Sequence, residues 1–232
     1  MPEKCLKAVI VDLGGVLIEA PSESWKVMEA SQTIDADSLL FTLNKSPIRE
    51  EYESLERGET TAEEFDPLFT HFYNKQHQRK EKVIPIISSV IEGIHDKTIL
   101  PEMATLLKDL RIVGIKTALL TNNCYVDRAR LSPTIPKNIE NHFDVVVESC
   151  RVGMRKPEYA IYRHVCNQLK VKPKECLLLD DLATNIKAAR TIGITTIKTT
   201  PSLKDETDYI RQKLAAFFNI PSYARELPVK SA

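Results

Sequence analysis

Four short apolar runs punctuate the chain: "KAVIVDL" (7–13), "IKTALLTNN" (115–123), "FDVVVESC" (143–150) and "ECLLLDD" (175–181). A weaker fifth, "ITTIKTT", follows at 194–200. Each is rich in Val, Ile, Leu or Thr and stops at polar residues. None alternates cleanly between apolar and polar positions, which is the pattern of strands buried on both faces of a parallel sheet. Between them lie segments of helical periodicity. "PEMATLLKDLRIVG" (101–114) ends at a glycine, "KPEYAIYRHVCNQLK" (156–170) carries Pro157 near its start, where proline is tolerated, and "LATNIKAARTIG" (182–193) again stops at a glycine. Strand–helix alternation predicts an α/β fold built on a doubly wound parallel sheet.

The interval 21–96 breaks this rhythm. "SESWKVMEAS", "IREEYESLERGE", "TAEEFDPLFTHFYNKQ" and "EKVIPIISSVIEGI" all read as amphipathic helices with charged outer faces. "TTAEEF" offers a helix start, with Thr60 or Thr61 as cap and Glu63 or Glu64 bonding back. The expected organisation is a core domain made of 1–20 and 97–232, interrupted by an all-helical module over 21–96. "SPTIPKN" (132–138) reads as a proline-containing loop, and the last dozen residues are expected to fray.

The chain of 232 residues is long enough for one sizeable core and a smaller appendage. Lys+Arg and Asp+Glu are both 32, so no electrostatic footprint points to nucleic acid or an anionic membrane. The expected partner is a small molecule; the oligomeric state stays open. Five cysteines, Cys5, Cys124, Cys150, Cys166 and Cys176, are widely spaced and form no zinc or redox motif, so they read as reduced thiols. The first apolar run is too short for a signal peptide, and no run reaches membrane-spanning length. The expected location is the cytoplasm.

Open parallel sheets bind ligands beyond the carboxyl ends of their strands. Four strand ends here carry Asp12, Thr121 with Asn122, Lys156 just past the third strand, and Asp180 with Asp181. Each alone has an ordinary reading: Asp12 a turn former, Thr121 or the Asp180–Asp181 pair a helix cap, Lys156 a solvated surface residue. Convergence on one sheet edge favours a site. Carboxylates gathered at one place repel, so they require a cation or a proton. Magnesium favours such oxygen ligands and shares them with phosphate. The Thr121 hydroxyl, the Asn122 backbone N–H and the Lys156 ammonium suit phosphate oxygens.

With "DLGGVL", "LLTNN", "RKPEYAIY" and "LLLDDLATN" in this order, the sequence resembles the haloacid dehalogenase superfamily, in its C1-capped branch. "HFDVVVESCRVGMRKPEYAIY" and "LLLDDLATNIKAARTIG" look most like the related domains at the N-termini of soluble epoxide hydrolase and acyl-CoA dehydrogenase family member ten. The resemblance implies a Rossmann-like core with the 21–96 helices as cap, a Mg²⁺ cofactor and a small phosphorylated substrate. It implies Asp12 as nucleophile and metal ligand, Asp181 as direct metal ligand, Asp180 and Asn185 as support, and Thr121, Asn122 and Lys156 as phosphoryl holders. Lys156 would also keep Asp12 ionised. Glu19 and Trp25 are candidates for substrate contact from the cap.

One position departs from the family pattern. Where the family's phosphatases carry a second aspartate, whose carbonyl ligates the metal and whose carboxyl is the general acid/base, this chain has Gly14. The carbonyl ligand survives and the proton donor does not. Such catalysis is worth ~10²–10⁴-fold, about 3–5 kcal/mol of barrier. Three readings follow: a slow magnesium-dependent phosphatase, a non-catalytic phospholigand-binding module, and dehalogenase-type chemistry, for which the paired acids would be surplus.

Overall fold

A computed structural model of the chain describes residues 6–31, 34–79, 84–200 and a few positions between 209 and 218. Cys5, residues 81–83 of the last expected insertion helix and the final dozen residues lie outside the described residues.

The five apolar runs form one parallel sheet: β1 (Ala8–Val11), β2 (Lys116–Thr121), β3 (Val145–Glu148), β4 (Cys176–Asp180) and β5 (Thr195–Lys198), in spatial order β3-β2-β1-β4-β5. Alternate side chains of the central strands enter two different cores. Val9, Val11, Leu119, Leu177 and Leu179 pack with Met103, Leu106 and Leu110 of α6 (Pro101–Ile112). Ala8, Ile10, Ala118, Leu120 and Leu178 pack with Ile161, Tyr162 and Val165 of α8 (Tyr159–Gln168) and with Ala188 and Ala189 of α9 (Ala183–Thr191). Burial on both faces explains the unbroken apolar runs.

Among the described residues, five helices stand between β1 and α6: α1 (Pro21–Ser31), α2 (Ser38–Leu43), α3 (Ile48–Glu56), α4 (Ala62–His77) and α5 (Ser88–Ile91). Phe65, Phe69 and Tyr73, four apart on α4, stack ring on ring at 6.1 and 5.8 Å between centroids and form the insertion's spine. Thr61 starts α4, with its N–H and hydroxyl donating to Glu64 Oε2 at 3.2 and 3.1 Å.

The backbone departs from the sequence expectations, or adds to them, in three places. Of the stretch expected to be helical over 81–94, the described residues 84–94 contain only the single turn α5, followed by a 3₁₀ turn at Ile94–Asp96. Its backbone donors go to side chains of α4 instead: Ile84 N–H to Thr70 Oγ1 (2.7 Å), and Ile87 and Ser88 N–H to the Asp66 carboxylate (2.9 and 3.1 Å). The helix α2 falls inside the interval expected to be helical, in a segment for which no individual helix is marked by the sequence pattern. Helix α8 begins at Tyr159, so Pro157 and Lys156 precede it rather than open it. The physical reason is again a side chain, Asn122, which takes both backbone groups of Lys156.

The insertion docks on the sheet domain backbone to backbone. Two N–H groups of the first turn of α4, Ala62 and Glu63, which no helix can satisfy internally, donate to the carbonyls of Tyr125 and Val126 at 2.8 and 3.0 Å. Gly58 allows the closest approach. Its φ is +74°, and a Cβ there would lie 2.3 Å from the Cys150 carbonyl oxygen, at the short helix α7 (Ser149–Val152). Gly114 also has a positive φ, +80°, but open space around it.

These two glycines separate strain from crowding. Gly114→Ala is expected to lower unfolding free energy by about 1–2 kcal/mol, the left-handed backbone cost. Gly58→Ala adds overpacking of about 1–3 kcal/mol, so it should cost clearly more. Urea denaturation of both variants checks the difference.

Candidate active site

The register of the sheet assembles the site. Val11 pairs with Leu119 on one side and Leu179 on the other, so the next residue, Asp12, stands beside Asp180, with Thr121 closing β2 nearby. Asp12 N–H continues the ladder to the Leu179 carbonyl at 3.0 Å. All three strands end at one edge because they are parallel.

Lys156 enters from the turn between α7 and α8 and is 1% exposed. Its ammonium bridges Asp12 Oδ2 at 2.7 Å and Asp180 Oδ2 at 2.8 Å. Its main chain is clamped by one side chain: Lys156 N–H donates to Asn122 Oδ1 at 2.8 Å, and Asn122 Nδ2 donates to the Lys156 carbonyl at 2.9 Å. The Asn122 side chain thus holds Lys156, while the Thr121 hydroxyl donates to the Asn122 carbonyl at 3.2 Å.

Asp180 is fully buried and fully engaged. Besides Lys156 it accepts from Leu182 N–H at 2.9 Å and from Asn185 Nδ2 at 3.0 and 3.1 Å. Asn185 reaches it from the first turn of α9. Asp181 is half-buried, and its carboxylate lies directly on the turn after β1. A Cβ at Gly15, where φ is +72°, would come within 2.7 Å of Asp181 Oδ2. Glycine is required there both by conformation and by room.

Asp12, Asp180 and Asp181 each offer an oxygen, and these oxygens lie within 4.8 Å of one another. Burial is the largest influence on Asp12 and pushes its carboxyl up to about 8; Lys156 opposes this, and Asp180 and Asp181 reinforce it. Asp181 is raised by burial and by Asp180. Burial alone would depress Lys156, but Asp12 and Asp180 hold its ammonium above the usual range. Three carboxylates less one ammonium leave two negative charges when all are ionised. A divalent cation fits this donor set in charge and in kind, since all the ligands are oxygens.

At Gly14 the space is taken. A Cβ would stand 2.9 Å from Cδ of Pro21, the first residue of α1. The proline ring covers the side where a side chain at this position would project.

Of the remaining sequence candidates, Trp25 is buried and donates to the Ile86 carbonyl at 2.9 Å, so it serves the packing of the insertion, and Glu19 is exposed. Cys124 is buried, and burial pushes its thiol well above its ordinary value, away from reactivity. Two neighbours of the site escaped sequence reasoning. Arg155 Nε donates to Glu56 Oε2 at 2.5 Å, and Asn122 Nδ2 reaches the same oxygen at 3.2 Å. Arg155 could have been noticed beside Lys156; nothing local marks Glu56. A surface cavity lined by Lys108, Arg111, Lys116 and Asp144 lies at the amino edge of the sheet, opposite the acidic cluster.

The description "haloacid dehalogenase-like hydrolase" belongs to the family model that matches residues 6–193. Acyl-CoA dehydrogenase family member 10 of Mus musculus is 29% identical over 192 residues, covering 83% of this chain and 18% of that protein. Bifunctional epoxide hydrolase 2 of Mus musculus is 30% identical over 199 residues, covering 83% of this chain and 36% of that protein. The chain therefore spans only a minor part of the length of these relatives. A sesquiterpene phosphatase of Aspergillus oryzae is 28% identical over 206 residues, 85% of this chain and 91% of that one. A solved Bacteroides thetaiotaomicron enzyme, in complex with magnesium and inorganic phosphate, shares the fold, with a TM-score of 0.53 and 23% identity over 85% of this chain and 96% of its own.

The charge balance makes a prediction about metal and pH together. With Asp12 raised from 3.8 to about 8, the metal-free folded state holds a proton that the unfolded chain has lost. Its contribution to stability therefore falls as pH rises through that window. Magnesium competes with the same proton, so stabilisation by millimolar magnesium should grow as pH rises from about 6 to 8.5. Thermal unfolding of the wild type and Asp181→Asn at several pH values checks this. A pH-independent shift, or one equally large in Asp181→Asn, contradicts the three-carboxylate site.

Proposed function

The chain belongs to the haloacid dehalogenase-like hydrolases, and on that premise we propose that it is a magnesium-dependent phosphohydrolase acting on a small phosphorylated molecule through an aspartyl-phosphate at Asp12. The observation that carries the reading is the buried bridge of Lys156 between Asp12 and Asp180, which leaves two negative charges beside the ends of β1, β2 and β4. The magnesium named in the solved relative and the phosphatase named in the Aspergillus relative support it.

Asp12, Asp181 and the Gly14 carbonyl would hold the cation, which supplies charge neutralisation for the phosphoryl oxygens. With the cation bound, Lys156 would help hold Asp12 ionised against its burial and, with the Thr121 hydroxyl and the Asn122 N–H, would bind the phosphoryl group. An Asp12 carboxylate oxygen attacks phosphorus as the bond to the leaving oxygen breaks; water then attacks phosphorus and frees Asp12. Asp180 and Asn185 fix Lys156 and the turn into α9. The helices α1–α5 act as the cap, which excludes water and selects the substrate. The four cysteines among the described residues are free and buried, which suits a reducing compartment such as the cytoplasm.

Proton delivery to the leaving group is the weak step, because Gly14 has no carboxyl and Pro21 occupies its place. Leaving groups that depart without a proton, such as aryl or acyl phosphates, are the favoured substrates. The same observation supports a second reading, a phospholigand-binding module without turnover. Dehalogenase-type chemistry is less well supported, since the gathered carboxylates would have no use there.

Phosphate release from p-nitrophenyl phosphate with magnesium separates these. The wild type should turn over slowly and Asp12→Asn should lose that turnover. Gly14→Asp alone should gain nothing, because its Cβ meets Pro21. Combined with Pro21→Ala, it should gain ~10-fold or more, with a larger gain on alkyl phosphates than on p-nitrophenyl phosphate. Equal activity in wild type and Asp12→Asn rejects the enzyme reading; phosphate-analogue binding without turnover selects the binding module.

A further inference from the structure

Lys156 sits in neither helix nor strand, so no ladder fixes its backbone. Asn122 does so, and its amide has a choice of two orientations. As it stands, Oδ1 accepts from the Lys156 N–H and Nδ2 donates to the Lys156 carbonyl. The second Nδ2 hydrogen points to Glu56 Oε2 at 3.2 Å. Turning the amide over would set its carbonyl oxygen against both the Glu56 carboxylate and the Lys156 carbonyl. The carboxylate therefore selects the one orientation that clamps Lys156.

The same oxygen, Glu56 Oε2, accepts from Nε of Arg155, the residue next to Lys156. Around this pair, Arg155 Nη1 approaches Glu53 Oε1 at 3.4 Å, Arg57 Nε donates to Glu158 Oε1 at 2.9 Å, and Arg155 N–H donates to Glu158 Oε2 at 3.2 Å. The last turns of α3 thus grip the whole 155–158 turn. Glu56 is buried, which makes its hydrogen bonds hard for water to replace.

We propose that Glu56, a residue of the helical insertion, is a positioning residue for the site: through Asn122 and Arg155 it fixes the backbone of Lys156, and so the ammonium that bridges Asp12 and Asp180. This rests on the reading of Lys156 as a phosphoryl-binding residue. It makes the insertion a structural part of the site, since any shift of α3 away from the sheet domain removes the acceptor that orients Asn122.

The test compares Glu56→Ala, Glu56→Gln and the exposed control Glu51→Ala on the same helix. Hydrogen exchange of the Lys156 amide, which bonds to Asn122, should speed up about tenfold in Glu56→Ala, and affinity for inorganic phosphate with magnesium should fall about tenfold. Amides of β1 and β4 should keep their protection. Glu56→Gln retains an acceptor oxygen and should stay within about twofold of wild type in both readings, as should Glu51→Ala. Should Glu56→Ala not fold, Glu56→Asp, whose carboxylate is withdrawn by one methylene, takes its place. Unchanged Lys156 exchange in the shortened variant, or a Gln variant as damaged as Ala, overturns the proposal. Absence of Asp12-dependent turnover in the wild type would remove the phosphohydrolase reading instead, and the exchange of the Lys156 amide still decides the role of Glu56.

Discussion

A single buried ammonium organises the molecule. Lys156 lies between Asp12 and Asp180, sealed from water, and leaving either partner unmatched in such a place costs several kcal/mol. The parallel register sets Asp12 beside Asp180; Asn185 and the Leu182 amide occupy the remaining lone pairs of Asp180; Asn122 holds the Lys156 backbone. The ion triad is stable as a local structure only because every other group around it is committed. What it leaves over is negative charge, gathered with Asp181 at one edge of the sheet, and that surplus suits a cation.

Close approaches, more than shape, then decide what this site can do. Gly15 lets the Asp181 carboxylate rest against the turn after β1, which keeps the third acid near the other two. Gly14 has a different role: its missing side chain is replaced by the Pro21 ring at the start of α1, so the first helix of the insertion closes a space where a proton donor would stand. Gly58 lets the turn between α3 and α4 sit on the Cys150 carbonyl. At Gly14 and Gly58 the close approach joins the insertion to the sheet domain, and at Gly15 it joins two strand ends of the sheet domain itself.

The insertion itself shows how side chains outside a segment set its backbone. The residues from Ile84 to Ile94 carry apolar residues enough for a helix, yet Asp66 and Thr70 of α4 draw off the donors at Ile84, Ile87 and Ser88. The apolar side chains are buried all the same, in the core shared with Phe65 and Phe69. Hydrophobic burial was legible there and helix was not, because the competing acceptors belong to another element.

Strand positions, the interrupting helical segment and the acidic strand ends were all legible in the chain. Such features depend on residues a few positions apart: an apolar run that ends in Asp12 or Asp180, or Asn185 a helical turn beyond. Parallel strands must end together, so those residues were bound to share an edge. The contacts of Glu56 with Asn122 and Arg155 join residues 66 and 99 positions apart. Pro21 over Gly14 and the Asn122 clamp on Lys156 likewise follow from how separate elements pack. By itself, the sequence determined which groups face the site, because strand ends and helix starts are local. Only the tertiary structure decided how each group is oriented, charged and crowded, because those properties belong to whatever the rest of the chain brings alongside.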